Sequence, residues 1–316
     1  YHIMPNTGLG ILADPNVRPL GPMARKGSVP PELAEFIRSS TPLMITKSTL
    51  LSKIHRPVPM DSVGVKQFDE SGRVIGERRF IGLFTSTAYS SSVMDIPVLR
   101  RKIRQVLLQS RLPEGGHDYK ALEHVLETLP RDELFQVSES ELADVSMGVL
   151  AVEERQQPGL FLRRDPFERF VSCLVYLPRD RYNTDLRKRV QWILEAALGG
   201  KQSSYTTQIS DSLLARLHYI IETRPGEIPD YDVDDVEAGI IEAARSWSDR
   251  LRESIEKRFS ESDASEIFAR YGEAFSAAYR EDFSPDVAAQ DIRLLEDAME
   301  RRELSLNLYR QLDHER

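Results

Sequence analysis

A strand that is apolar on both faces belongs inside a packed sheet, and residues 161–190, FLRRDPFERFVSCLVYLPRDRYNTDLRKRV, contain one. Phe170, Ser172, Leu174 and Tyr176 share one of its faces, and Val171, Cys173 and Val175 the other. The chain turns into this strand at Asp165-Pro166. It leaves at Pro178, and a helix opens near Thr184, expected as its N-cap. Leu186, Val190, Ile193, Leu194, Ala197 and Leu198 recur on one side of that helix, and Gly199-Gly200 closes it. Two further extended runs, residues 205–209 and 213–221, flank Ser210-Asp211-Ser212. Leu213, Ala215, Leu217, Tyr219 and Ile221 alternate onto one face of the last. Residues 159–224 thus read as strand–strand–helix–strand–strand, an antiparallel sheet with helices on one side.

The rest of the chain divides around this unit, and the fold class is α+β. Residues 1–110 form an α+β module. It starts with a short apolar strand at 8–12 and a Pro-, Gly- and base-rich loop at 15–26. A helix from Pro30-Pro31 runs through Leu33, Phe36 and Ile37, with proline in the first turn. A strand at 43–47 precedes a hairpin of residues 62–68 and 74–86, turning at Asp69-Glu70-Ser71-Gly72. Asp95-Ile96-Pro97 opens a helix with Val98, Leu99, Ile103, Val106 and Leu107 at helical spacing. Residues 111–158 read as linking helices, with Leu122, Val125, Leu126 and Leu129 in one stripe and a second helix over 139–156. Residues 225–316 are helical: 233–259 is one long amphipathic helix, followed by 264–279 and 285–300. Ser284-Pro285 has the form of an N-cap followed by proline.

Composition excludes several roles. Forty-two basic side chains against fifty acidic ones give a net charge of −8, which argues against nucleic acid as the main partner. No apolar run approaches the roughly 20 residues that cross a bilayer, so no membrane partner is expected. Cys173 is the single cysteine, so no intrachain disulfide can form, and a reducing cytoplasm fits. The chain opens at Tyr1 and ends at Arg316 within a helical pattern, which we read as an excised segment of a longer polypeptide.

Four blocks carry a family likeness: RFIGLFTSTAYSSSVMDIPVLRRKI at 79–103, HDYKALEHVLETLPRDELFQ at 117–136, the strand-rich segment from 161 extended to DSLLARLHYIIE at 211–222, and RYGEAFSAAYREDFSP at 270–285. In this order they resemble the N-terminal, non-catalytic half of the large bacterial NAD-specific glutamate dehydrogenases. The resemblance implies an ACT-like (ferredoxin-like) module at 159–224, a PAS-like module at 1–110, and a helical motif at 225–316 leading to a catalytic domain beyond Arg316. It implies a parent enzyme that oxidises L-glutamate to 2-oxoglutarate and ammonium with NAD. The implied partners are that catalytic domain, further copies in a homo-oligomer and an amino-acid effector. The segment itself is expected to hold no cofactor. No strand leads into the G-x-G-x-x-G turn a pyrophosphate needs, and Gly8-Leu9-Gly10 is too short. No glycine-rich stretch surrounds a lysine of the kind the family uses. No catalytic, cofactor-binding or metal-binding residue is assigned.

The remaining chemical candidates each have a plainer reading. His117 and His124 share a helix face, but Asp118 points elsewhere, so a helix-start acid is preferred to a metal site. Asp230, Asp232 and Asp234 imitate a calcium loop, yet Asp235 stands where glycine is required, so they are taken to complement a helix dipole. Cys173 is read as a buried small apolar residue, and Thr85–Thr87 and Ser90–Ser92 as turn and cap groups. Phe80–Tyr89 could line a ligand cavity, but a filled core is preferred. Arg163, Arg164, Arg169, Arg179 and Arg181 gather around one hairpin. They suit either a carboxylate or phosphate effector or, as preferred, salt bridges and subunit contacts with Asp165, Glu168, Asp180 and Asp185. Three functions follow: a regulatory and assembly segment of the dehydrogenase, a stand-alone amino-acid sensor, or a scaffold that binds no small molecule.

Overall fold

The computed structural model describes residues 4, 7–14, 16–17, 31–54, 57–210, 212–302, 304 and 306. It divides into two units, residues 1–238 and 239–316. The basic loop expected at 15–26 lies outside the described residues, apart from Asn16 and Val17. The strand expected at 8–12 is instead a single 3-10 turn, Gly10–Ala13, with Leu9 and Ile11 exposed. A five-residue apolar run has no periodicity that separates strand from turn.

In the first unit, α1 (Pro31–Arg38) precedes an antiparallel sheet of β1 (Leu43–Leu51), β2 (Pro59–Phe68) and β3 (Val74–Gly82), in that order. The expected hairpin is present: Asp69 Oδ1 accepts the N–H groups of Ser71 and Arg73, both at 2.9 Å. β3 stops at Gly82 rather than 86, because the Phe84 N–H turns back to the Asp61 carboxylate at 3.2 Å, and Ser86 opens α2 (Ser86–Ser90). Four helices follow: α3 (Pro97–Ser110), α4 (His117–Thr128), α5 (Arg131–Gln136) and α6 (Glu139–Arg155). Ser138 and Glu141 close a reciprocal capping box on α6.

The second sheet comprises β4 (Gly159–Arg164), β5 (Phe170–Pro178), β6 (Lys201–Gln208) and β7 (Leu214–Glu222), with α7 (Thr184–Leu198) between β5 and β6. Its strand order is β4–β5–β7–β6, and every neighbouring pair is antiparallel. β5 and β6 therefore run in the same direction with β7 slotted between them, a split β-α-β unit of the ferredoxin-like kind. Phe170 to Leu177 are all buried, as the two-faced pattern requires. Asn183, not Thr184, is the N-cap of α7: its side chain accepts the Leu186 N–H at 2.8 Å, and Thr184 is the first helical residue. Gly199 closes α7 at φ 63°, a conformation that needs no Cβ.

Helices cover both faces of this sheet, not one. Tyr219, on the Cys173 face, donates from its hydroxyl to Arg187 O of α7 at 3.0 Å. The opposite face sends Leu174 and Tyr176 into a core with Leu99, Ile103, Leu122, Leu126, Leu134, Leu142 and Val149 of α3 to α6. The stretch that reads as linking helices is thus half of a core. α6 crosses β4 so closely that a Cβ at Gly148 would stand 2.5 Å from the Phe161 ring.

Residues Val233–Ala244 form α8, which spans the boundary between the units. The second unit continues with α9 (Trp247–Glu256), α10 (Glu261–Tyr271), α11 (Ala277–Asp282) and α12 (Pro285–Arg301). The long helix expected over 233–259 is broken because Ser246 and Asp249 form a capping box that starts α9. The helix expected over 264–279 is likewise divided: α10 ends at Tyr271, and Ser276 caps α11. Ser284 caps α12 with Pro285 next, as expected. Leu251, Ile255, Ile267, Ala288, Ala289 and Ile292 make this unit's core. Among the described residues no helix is long and apolar enough to cross a membrane.

Candidate functional site

α5 is six residues long and carries two consecutive acids whose side chains serve different sheets. Glu133 accepts from Arg163 Nε at 2.6 Å and from Nη2 at 2.8 Å, a buried bidentate pair. The sheet register explains the partner. Arg163 stands opposite Ser172, and Leu174 opposite His218, so Arg163, Ser172 and His218 share the face that meets α5 and α6. Ser172 Oγ lies 2.8 Å from His218 Nε2, which is 3.7 Å from Glu133 Oε1. Burial pushes the Glu133 carboxyl up, but the Arg163 guanidinium, aided by His218 and Ser172, outweighs it and holds the group at about 2. Burial also holds His218 below its ordinary value, with Glu133 offsetting only part of the effect.

The His218 shift has a pH signature. Its folded-state pKa is depressed, so below the ordinary value of 6.5 the unfolded chain binds more protons and stability falls with pH. The denaturant midpoint is expected to drop as pH is lowered through 6.5. In His218→Gln that part of the profile flattens; an unchanged slope in the variant would assign the effect elsewhere.

Asp132 faces the other way. Lys47 Nζ reaches Asp132 at 3.0 Å and Asp61 at 2.6 Å, and the Tyr89 hydroxyl donates to Asp132 at 3.0 Å. From β1 a second bridge runs to the β4–β5 turn. Asp165, fully buried, accepts from Arg169 Nε at 2.7 Å, Arg169 Nη2 at 2.9 Å and Thr46 Oγ1 at 3.3 Å. Arg169 Nη1 donates to Lys47 O at 2.6 Å. The carbonyls at the end of α5 are met by Lys102, whose ammonium donates to Leu134 O at 2.7 Å and Val137 O at 2.5 Å. Burial pushes that ammonium down to about 8. These polar groups tie strands of both sheets, α2 and α3 together around α5.

Beside the Glu133–Arg163 pair, a cavity of about 220 Å³ opens between α5, α6 and the β4–β5 hairpin. Phe161, Leu142, Leu174 and Ser172 are among its walls.

The five arginines do not converge. Arg163 and Arg169 are consumed by Glu133 and Asp165, while Arg164 approaches Glu168 at 3.6 Å and lies over the Tyr231 ring. Arg179 and Arg181 occupy a 3-10 turn at the other end of β5, about 30 Å away at strand rise. Arg179 donates from Nη1 to Ser210 O at 2.9 Å. Arg169–Asp165 and Arg164–Glu168 were foreseeable from the interleaved charges. Glu133, His218 and Lys102 were not, although Arg163 alternates with Phe161 onto a buried face and so demanded an acid partner.

The other candidates fall as follows. Burial pushes the Cys173 thiol up, so it stays protonated in the sheet. His117, Asp118 and His124 are exposed on α4, and no described residues group three potential metal ligands. Asp232 accepts the Asp234 N–H at 2.8 Å at the start of α8. Ser92 caps a 3-10 turn and also bonds Glu127 at 3.0 Å. Phe84 stacks on Phe135 at 4.4 Å within the core, whereas Phe80 is exposed.

Comparison with known proteins adds three family matches. Residues 159–248 match the family described as glutamate dehydrogenase, ACT2 domain; residues 96–155 match glutamate dehydrogenase, helical motif 1; and residues 254–298 match helical motif 2. The NAD-specific glutamate dehydrogenase of Halomonas elongata is 38% identical over 273 residues, 86% of this chain and 17% of its own length. That of Pseudomonas aeruginosa is 37% identical over 277 residues, 88% of this chain and 17% of its own. That of Mycobacterium tuberculosis is 33% identical over 246 residues, 74% of this chain and 15% of its own. The chain therefore spans less than a fifth of the length of these relatives.

Proposed function

We propose, from the premise that this chain is an N-terminal segment of the large NAD-specific glutamate dehydrogenase family, that it serves regulation and assembly while turnover resides elsewhere in the parent polypeptide. One observation carries this reading: its buried acids and bases are spent on joining elements. Arg163 holds the Glu133 carboxyl at about 2, so it is not poised to exchange a proton with a substrate near neutral pH, and Asp165 is occupied by its hydrogen bonds from Arg169 and Thr46. The parent reaction would be oxidation of L-glutamate by NAD to 2-oxoglutarate and ammonium, with NAD bound outside this segment. Its partners would be the catalytic domain, other copies of the parent and an amino-acid effector. Residues 1–110, with their antiparallel sheet between helices, would act as the PAS-like module. A cytoplasmic setting suits the single thiol.

The purified chain, given L-glutamate and NAD, is expected to produce no NADH by absorbance. Turnover comparable to that of an intact dehydrogenase would overturn the reading.

A further inference from the structure

We propose that the outer edge of β3 pairs with an extended strand of the parent polypeptide lying outside residues 1–316, one that sets a carboxylate opposite Arg78. The inference rests on the reading of this chain as a segment of a longer dehydrogenase, and names a contact that the segment makes there.

The ladder shows which backbone groups face outward. On β2 the Lys66 N–H donates to Pro42 O, toward β1, and the Asp69 N–H donates to Arg73 O, toward β3, both at 2.9 Å. Even-numbered residues of β2 therefore bond β1, and odd-numbered ones bond β3. Gly76, Arg78 and Phe80 stand opposite Gln67, Val65 and Val63, so they bond inward. Glu77 and Ile81, opposite Lys66 and Ser62, turn their N–H and C=O groups away from the sheet, where no described strand meets them.

The other sheet edges are closed or polar. On β1, Lys47 O accepts from Arg169, and on β4 the Leu160 N–H donates to Glu237 at 2.8 Å. β6 reads KQSSYTTQ, which suits a solvated edge. β3 lacks such protection over Gly76–Gly82. Its register against Asp61–Gln67 is unbroken there, and it carries neither proline nor lysine. Phe80, 60% exposed, shares a face with Val65 and Leu43, both partly bare. Ile75 is 68% exposed at the bulge near the start of the strand. Apolar side chains gathered along an unpaired edge are what one more strand covers.

Charge selects the occupant. Glu77 and Arg79 pair with each other on one face of β3. On the other face Arg78 is exposed and meets no acid among the described residues. A second copy of β3 is a poor fit. Overlapped over Val74–Gly82 about a twofold axis, the two Arg78 side chains oppose each other as like charges. A strand with an acid at that place completes the pair instead. The matched span is less than a fifth of the relatives' length, so the parent has ample chain to supply it.

Amide hydrogen exchange, resolved by residue, tests this on the 316-residue chain and on the intact parent. In the chain alone Glu77 and Ile81 should exchange fast, while Arg78 and Phe80, bonded to β2, stay protected. In the parent, exchange at Glu77 and Ile81 should slow about a hundredfold. Arg78→Glu should leave the melting temperature of the 316-residue chain unchanged and speed exchange at Glu77 and Ile81 in the parent about tenfold. Fast exchange at Glu77 and Ile81 in the parent would overturn the proposal. So would protection already present in the chain alone; if that rises with concentration, a second copy holds the edge. Exchange in the parent that Arg78→Glu does not alter would overturn it as well. NADH formation by the chain tests the parent reading separately, and none of these results bears on it.

Discussion

Glu133→Ala should cost the chain about 3–5 kcal/mol of stability, the range for removing one partner of a buried ion pair. Arg163 loses both of its short hydrogen bonds to carboxylate oxygens and stays buried with its charge uncompensated. The loss should appear as a lower urea midpoint with little change in slope. The double variant Glu133→Leu/Arg163→Met separates pairing from charge burial: apolar replacements of similar size should recover most of the loss, because both desolvation costs vanish together. A single-variant loss below about 1 kcal/mol would mean that water reaches the pair after all. The pair also gives an acid limb. With a folded pKa near 2 against an ordinary 4.5, Glu133 contributes stability that is complete above 4.5 and lost as pH falls toward 2.

Asp165→Ala should be comparably costly but differently distributed. Asp165 accepts from Arg169, Thr46 and the backbone N–H of Phe167, and Arg169 in turn holds Lys47 O. Its removal leaves Arg169 without its carboxylate and weakens the bridge from the β4–β5 turn to β1, of which only the Arg169 bonds to Lys47 O and Thr46 remain. A loss of about 3–5 kcal/mol is expected. Amide hydrogen exchange should accelerate most in β1 to β3, while β5 and β7 keep protection relative to the new global stability. Asp165→Asn keeps an acceptor and should fall between wild type and alanine. If the protection of β1 is unchanged, its attachment to the first unit lies with Lys47 and Asp132 instead.

Much of the fold was readable because it rests on local periodicity. Phe170 to Leu177 could be only an inner strand, and the α3, α4 and α7 stripes were visible in their spacing. Gly199 and Ser284 marked helix ends through capping chemistry that acts over a few residues. Misreadings came where two signals competed. Ser246 and Ser276 each interrupt a stripe that continues apolar on both sides, and a serine cap, reciprocated by Asp249 only at Ser246, outweighed the periodicity. The assignment of helices to one face of the sheet conflicted with the two-faced strand itself. Both faces are covered because both are apolar.

The candidate site was only half legible. Charges four residues apart, Arg169 with Asp165 and Arg164 with Glu168, could be paired on paper. Glu133 lies 30 positions from Arg163 on a helix of six residues, too short to show a period. By itself, then, the sequence determined the strands of the two sheets, though not the 3-10 turn at Gly10–Ala13, together with the α3, α4 and α7 stripes, the family likeness and the lack of a dinucleotide turn motif, since each depends on neighbours within a few residues. Only the tertiary structure decided which acid meets Arg163, that α5 serves two sheets, and that a cavity lies beside the pair. Those depend on long-range packing, where a buried charge must find its partner in space wherever the chain has placed it.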